Sequence, residues 1–354
     1  MNLDNLTAVK KLDQKNVAGS IANLPQQLLA SWTAAKKIKI PAAFAQADNI
    51  VFCGLGGSNL ASELLRRVFG AQIKVPLILA RGYNLPAFAG PGTLVIIDSY
   101  SGNTEETLAC LSQARKMKTK IICISAGGKI AALAKKNRLV HFKIDPALNP
   151  SGQPRYDIGS QLGTALAIFD KLKLIGISEK ELIGIARGLA ELNAKVSLIS
   201  KSKNNPAKKL AAGLAGKNIY IIGAEHLSAN AHILANQINE SAKHLASPYR
   251  IPEFNHHFLE ALTFPKKVTR QTAFIFLVSA DYSPRIMKRF IITKRILDQK
   301  KIKNYLIRST VPGALRQALE VLAVGSWASL YLALINGVNP AAIPWVDYFK
   351  SSLD

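Results

Sequence analysis

Five short apolar runs constrain the first 150 residues of this chain more than any other feature. They are "NIVFCG" (49–54), "VPLILA" (75–80), "TLVIID" (93–98), "KIICIS" (120–125) and "LVHFKI" (139–144). Between them, "SNLASELLRRVFG" and residues 104–117 read as helices, as do residues 19–37 ahead of them. Near-continuous apolar strands alternating with helices predict a parallel sheet covered on both faces. In such sheets ligands bind outside the carboxyl ends of the strands, which puts residues 54–58 and 99–104 on one rim. The pattern then restarts. "GKNIYIIGAEHLSANAHILANQINESAKHL" (216–245) reads as strand, glycine turn and helix. "TAFIFLVSADY" (272–282) and "KIKNYLI" (301–307) read as strands around a basic helix at 284–299. Two strand–Gly–helix openings, at 51–56 and 219–223, predict an α/β chain of two tandem subdomains, each a parallel sheet flanked by helices. The expected boundaries are a helical segment at 1–48, a first subdomain at 49–175 and a second at 176–354. The helical tract at 157–215 joins the two.

Bulk properties narrow the function classes. The 354 residues are 49% hydrophobic, which fits a large globular core and excludes disorder. Cys53, Cys110 and Cys123 lie in or beside apolar runs, at spacings that suit neither a disulfide framework nor a metal knuckle. They read as buried thiols in a reducing compartment. The N-terminus has no apolar signal-like region. The longest apolar run, "VLAVGSWASLYLALI" (321–335), falls short of the roughly 20 residues that span a bilayer. It reads as a core or dimer-interface helix, and the expectation is a soluble, cytoplasmic protein with no membrane partner. The net charge of +24 invites a nucleic-acid reading, but the lysines are spread along helix faces and ends, and no recognition motif accompanies them. A solvated basic surface that attracts anionic substrates, with no nucleic-acid partner, is the expectation.

Two glycine- and hydroxyl-rich stretches carry the chemistry. In "CGLGGSNLASELL" a glycine turn leads from a strand into a helix, so the backbone can approach a ligand and the helix start offers free amides to an anion. The stretch lacks the third glycine and the acidic strand end of a dinucleotide site, and lacks the Gly-Lys-Ser/Thr of a P-loop. On these residues alone, a tight turn capped by Ser58 and a ligand wall containing Gly57 and Ser58 are both open. In "DSYSGNTEET", Ser99, Ser101 and Thr104 bring three hydroxyls to a strand tip before a helix, with Glu105 and Glu106 in its first turn. That is more than one helix cap needs. Hydroxyls and amides with no lysine or metal ligand suit a single phosphate monoester.

"GLGGS" followed by "SYSGNTEET" resembles the SIS (sugar isomerase) fold, and the chain as a whole resembles the bifunctional phosphoglucose/phosphomannose isomerases. The further matching segments, in the family's order, are "NPSGQPRYDIGSQLG", the stretch from "NPAKKL" to "KHLAS", "PEFNHHFLEAL" and "WVDYFK". The resemblance implies an aldose–ketose isomerase that interconverts glucose 6-phosphate, and mannose 6-phosphate, with fructose 6-phosphate through a cis-enediol. It implies Glu240 as the base at C2, His256 in ring opening, Arg155 as a fixed cation for the enediolate, and Lys350 by the ring oxygen or phosphate. No metal and no cofactor are implied. The implied assembly is a homodimer in which His256 can act across the interface. Asp157, close to Arg155, is an unexpected carboxylate that could pair with it, and His257 stands where the family has Asn. The aromatic "IPWVDYF" is expected to dock the tail that bears Lys350. The alternatives are a non-catalytic SIS sugar-phosphate sensor or regulator, and an isomerase of another phosphosugar. The joint presence of Glu240, His256 and Lys350 separates the enzyme from the sensor.

Overall fold

The computed structural model describes residues 1–353. The chain divides into two compact units, Asn23–Gly188 and Met1–Ala22 with Leu189–Asp354. The first 22 residues, with α1 (Leu6–Leu12) and α2 (Val17–Ala22), therefore belong with the C-terminal half.

The Asn23–Gly188 unit opens with α3 (Leu24–Lys36). The elements β1 (Asn49–Cys53), α4 (Leu60–Phe69), β2 (Leu77–Ala80), β3 (Thr93–Asp98), α5 (Glu105–Lys116), β4 (Lys120–Ser125), α6 (Gly128–Lys136), β5 (Val140–Lys143) and α7 (Ile158–Lys171) follow. The five strands are parallel, in the order β2-β1-β3-β4-β5. All six residues of β3 are buried, because helices cover both faces of the sheet. One face packs Val51, Val95, Ile97 and Ile121 with the three buried, free cysteines. Each such aliphatic side chain contributes ~1.5–3 kcal/mol on burial. The chain runs from β1 outward to β2 and then crosses to β3 on the other side. The order therefore reverses between β1 and β3, and this switch point is where an open α/β sheet presents a crevice.

The other unit repeats the plan with four parallel strands in the order β7-β6-β8-β9: β6 (Asn218–Gly223), β7 (Ala246–Arg250), β8 (Thr272–Ser279) and β9 (Lys303–Ser309). Its helices are α9 (Pro206–Leu214), α10 (Ser228–Gln237), α11 (Phe254–Ala261), α12 (Lys266–Arg270), α13 (Pro284–Gln299), α14 (Ala314–Ile335) and α15 (Pro344–Ser351). The division between the units falls inside α8 (Glu179–Val196). The switch point here lies between β6 and β8. β7 is an edge strand that the apolar pattern does not announce, since Pro248 interrupts it, and an edge is where a strand proline is tolerated.

The N-terminal segment is fastened to this unit by Lys208 of α9. Its buried ammonium donates to the carbonyls of Leu3, Leu198 and Ser200 and to Asp4 Oδ1 at 2.8–3.1 Å. That bond, with those from Ser202, holds the Asp4 carboxyl down at about 2. The apolar run at 321–335 lies in α14, which is long and apolar enough to cross a membrane, but 83% of its apolar window is buried inside the protein. It is a core helix. The expectation that "IPWVDYF" docks the C-terminal tail is not met. In α15, Trp345 is 80% exposed and Tyr348 67% exposed, and the Trp345 ring meets Tyr348 edge-on rather than a facing apolar surface.

Candidate active site

The carboxyl ends of β1 and β3 form a small cup. After β1 the chain passes through Gly54 and Leu55 into a tight 3-10 turn, Gly56–Asn59, that leads into α4. Gly56 has φ +51°, a left-handed conformation that glycine adopts without strain. Gly57 is pressed against the turn that carries Arg155: a Cβ there would lie 2.7 Å from Pro154 Cβ and 2.8 Å from Arg155 N. Ser58 is buried and accepts a hydrogen bond from Tyr100 N at 2.9 Å, which ties the glycine turn to the loop after β3. Asn59 clamps the turn from inside, donating to Gly54 O and accepting from Ser62.

The loop after β3 supplies the hydroxyls. Ser99 Oγ and Thr104 Oγ1 are 2.8 Å apart, and either can be the donor. Ser101 is exposed, its Oγ accepting from Asn103 N at 3.2 Å. Thr104 sits at the start of α5 with extended backbone angles and forms no side-chain cap, so the first-turn amides of this 12-residue helix keep their positive end directed at the cup. The reading of Ser99, Ser101, Thr104, Gly57 and Ser58 as one cluster corresponds to one place in the fold. The residues that sequence reasoning missed are Asn59 and the Gly127–Gly128 loop. The latter closes against Gly102, with Ile130 N donating to Gly102 O and Lys129 N to Asn103. Gly-Gly before a helix was the available signal.

Arg155 and Asp157 lie beneath, in the turn that precedes α7. Arg155 is buried and donates through Nη1 to Gln153 Oε1 at 2.6 Å. Asp157 is also buried, but it makes no ion pair with Arg155. Its Oδ1 accepts from Ser160 at 2.7 Å and its Oδ2 has no hydrogen-bond partner, so the expected pairing is corrected. Burial pushes the Asp157 carboxyl up to about 7 against the Ser160 bond. Asp98, the last residue of β3, is fully buried with neither carboxylate oxygen hydrogen-bonded. Burial, and then the nearby Asp157, push it well above the usual carboxylate range. Its signal in the sequence was one acid at the end of an otherwise apolar run.

The other three residues of interest lie in the second unit. Glu240 sits in a single π-helical turn, Ile238–Ala242, that ends α10 at Lys243 in a left-handed conformation (φ +50°). Such turns are rare and concentrate at functional sites. Lys243 Nζ reaches the Asn339 carbonyl at 2.5 Å. His256 and His257 are exposed on α11, and Lys350 is exposed on α15. No hydrogen bond or ion pair among the described residues joins His256 or Lys350 to Glu240. Among the described residues no three His, Cys, Asp or Glu side chains gather as a metal set. At this unit's own switch point, Glu225 accepts from Ser283 N and Oγ, and buried His226 bonds Gln317 at 2.8 Å.

Two parallel sheets with matching switch points, one bearing a hydroxyl cup, define a protein of the double SIS type. The SIS domain family model matches residues 43–144, and the model for the bacterial phospho-glucose isomerase C-terminal SIS domain matches residues 203–353. A bifunctional phosphoglucose/phosphomannose isomerase from Caldicellulosiruptor bescii is 31% identical over 339 residues, covering 94% of this chain and 98% of the relative. Another, from Aquifex aeolicus, is 29% identical over 86% of this chain and 90% of its own. The chain belongs to the bifunctional phosphoglucose/phosphomannose isomerase family. Among solved structures, a tagatose-6-phosphate ketose/aldose isomerase from Escherichia coli superposes with a TM-score of 0.72 at 16% identity, covering 92% of this chain and 96% of that one. At that identity the match speaks for the fold alone.

Proposed function

We propose that this protein interconverts glucose 6-phosphate and mannose 6-phosphate with fructose 6-phosphate. The observation that carries the reading is the cup at the β1/β3 switch point, with three hydroxyls and a helix start, in a chain of this family. Ser99, Ser101, Thr104 and the amides of α5 hold the 6-phosphate, with Gly57 and Ser58 as the adjoining wall. The Glu240 carboxylate takes the proton from C2 of the open-chain aldose, leaving a 1,2-enediol, and returns it to C1 to give the ketose. Glucose and mannose differ only at C2, so deprotonation there gives both the same enediol. Arg155, permanently charged, stabilises the negative charge that develops on the enediolate oxygens. His256 moves the proton that opens and closes the ring, and Lys350 contacts the ring oxygen or the phosphate. The working form is a cytoplasmic homodimer. The exposed positions of His256 and of the aromatic α15 support a role for a second copy, with His256 serving across the interface.

The test is NMR of the purified protein with fructose 6-phosphate in D2O and no added metal, beside Glu240→Gln. The expected result is C2-deuterated glucose 6-phosphate and mannose 6-phosphate, with the rate lowered by a factor on the order of 100–10,000 in the variant. Binding without turnover in the unsubstituted protein would instead make the chain a sugar-phosphate sensor.

A further inference from the structure

The cup rests on two acids that the isomerase chemistry does not use. Asp98 immediately precedes Ser99, and Asp157 follows Arg155, whose backbone touches Gly57. Three of their four carboxylate oxygens have no hydrogen-bond partner, in a region where an unsolvated charge is strongly disfavoured. An anion-binding cup placed over two buried acids favours its ligand only while those acids are neutral.

The charged and titratable groups around Asp157 come from several elements. Its own turn contributes Arg155, which donates to Gln153. β3 and the loop after it contribute Asp98 and Tyr100, whose hydroxyl accepts from Asn149. The segment after β5 contributes Asp145, an exposed acid that caps the turn at Ala147. The neighbouring α4 contributes Glu63, paired with Arg81, together with Arg66 and Arg67. Asp145 disfavours a charge on Asp157, and a charge on Asp157 in turn disfavours one on Asp98.

We propose that Asp157, backed by Asp98, is a positioning residue that ties phosphosugar affinity to protonation: its neutral form lets the cup take the phosphate dianion, and its carboxylate repels it. The proposal rests on the reading of the cup as the phosphate site. Its pH window follows from burial, which holds the Asp157 carboxyl at about 7, so affinity falls as pH rises through neutrality. The ligand's own second ionisation, near pH 6, runs the other way, since it enriches the dianion as pH rises. A fall in affinity between pH 7 and 9 therefore originates in the protein. Linkage also requires the converse, that binding the dianion draws a proton onto Asp157.

The experiment measures kcat and KM for fructose 6-phosphate from pH 6.5 to 9, with calorimetric titration of inorganic phosphate over the same range, for the full chain and for Asp157→Asn. The amide keeps the acceptor for Ser160 but cannot ionise. The expected result is a KM that rises about tenfold across the range in the parent protein and stays flat in the variant, with the same contrast in phosphate affinity. A variant that keeps the parent's pH dependence overturns the proposal. Should the variant not fold, titrations of the parent with phosphate at pH 8.5, where inorganic phosphate is already the dianion, in buffers of different ionisation enthalpy, decide the matter. Proton uptake supports the proposal, and none overturns it. Turnover with a pH-independent KM sinks this inference and leaves the isomerase reading intact. Proton-linked phosphate binding without turnover does the reverse.

Discussion

The two switch points have nearly the same backbone and opposite chemistry. Gly54 and Gly223 each abut the carbonyl four residues on. Leu55 (φ −131°) and Ala224 (φ −142°) follow as extended residues, and then Gly56 (φ +51°) and Glu225 (φ +42°) turn left-handed. At the second rim the protein meets its own needs. The Glu225 carboxylate occupies the start of α13 through Ser283, Tyr282 Oη accepts from Ala224 N, and His226 and Ser279 both bond Gln317. At the first rim glycine stands where glutamate stands at the second, the start of α5 has no side-chain cap, and three of the four carboxylate oxygens beneath have no donor. The two rims share a backbone geometry but not the polar contacts built on it. On the proposed function, the half whose polar groups are left open is the half that receives the phosphosugar.

Substitutions can break or sharpen this contrast, and the largest effect belongs to Asp157. Its carboxyl rises from 3.8 to about 7 on folding, so the folded state holds the proton more tightly than the unfolded state. Stability contributed by this group is full below pH 3.8, declines as pH rises toward 7, and stays low above that. Asp157→Asn is therefore expected to stabilise the protein at pH 8, by up to ~4 kcal/mol, and to have little effect at pH 4. Urea unfolding at the two pH values measures this, and equal shifts at both would place the effect elsewhere. Next is Gly57→Ala, whose new methyl meets Pro154 and Arg155. About 1–3 kcal/mol of stability should be lost, with a raised KM for fructose 6-phosphate. Ser99→Ala removes one side of the hydroxyl pair and should weaken phosphate binding by ~1–1.5 kcal/mol, read by calorimetry. The smallest effect is expected at the second rim. Glu225→Gly relieves a left-handed glutamate but loses the Ser283 bonds, so stability should change by less than ~1 kcal/mol and KM should not move. A KM that moved as much as in Ser99→Ala would mean that the two rims are not functionally distinct.

Much of the fold was legible because its signals are local. "KIICIS" coincides with β4 and the helix at 284–299 with α13, since continuous burial and amphipathic spacing are written in adjacent residues. The cup was legible for the same reason, as its hydroxyls lie within six positions. β7 was hidden by Pro248, and the outward face of α15 by aromatic residues that resemble a core. Asp98 and Asp157 were not legible as a pair. They are 59 positions apart in sequence, and their shared burial exists only after the sheet closes over them.

The split of the chain into units also sets an order of events during synthesis. Residues 23–188 are contiguous, so this unit has all its strands as soon as that stretch leaves the ribosome. Residues 1–22 are made before that stretch, yet their anchor, Lys208, emerges after almost two hundred further additions. At about 5–20 residues per second that is a wait of roughly 10–40 seconds. During it, Val9, Val17 and Ile21, which end up buried, have no surface to cover them. This segment, made ahead of the Asn23–Gly188 unit, is thus among the last to find its place, and for that interval it stays open to a chaperone or a protease.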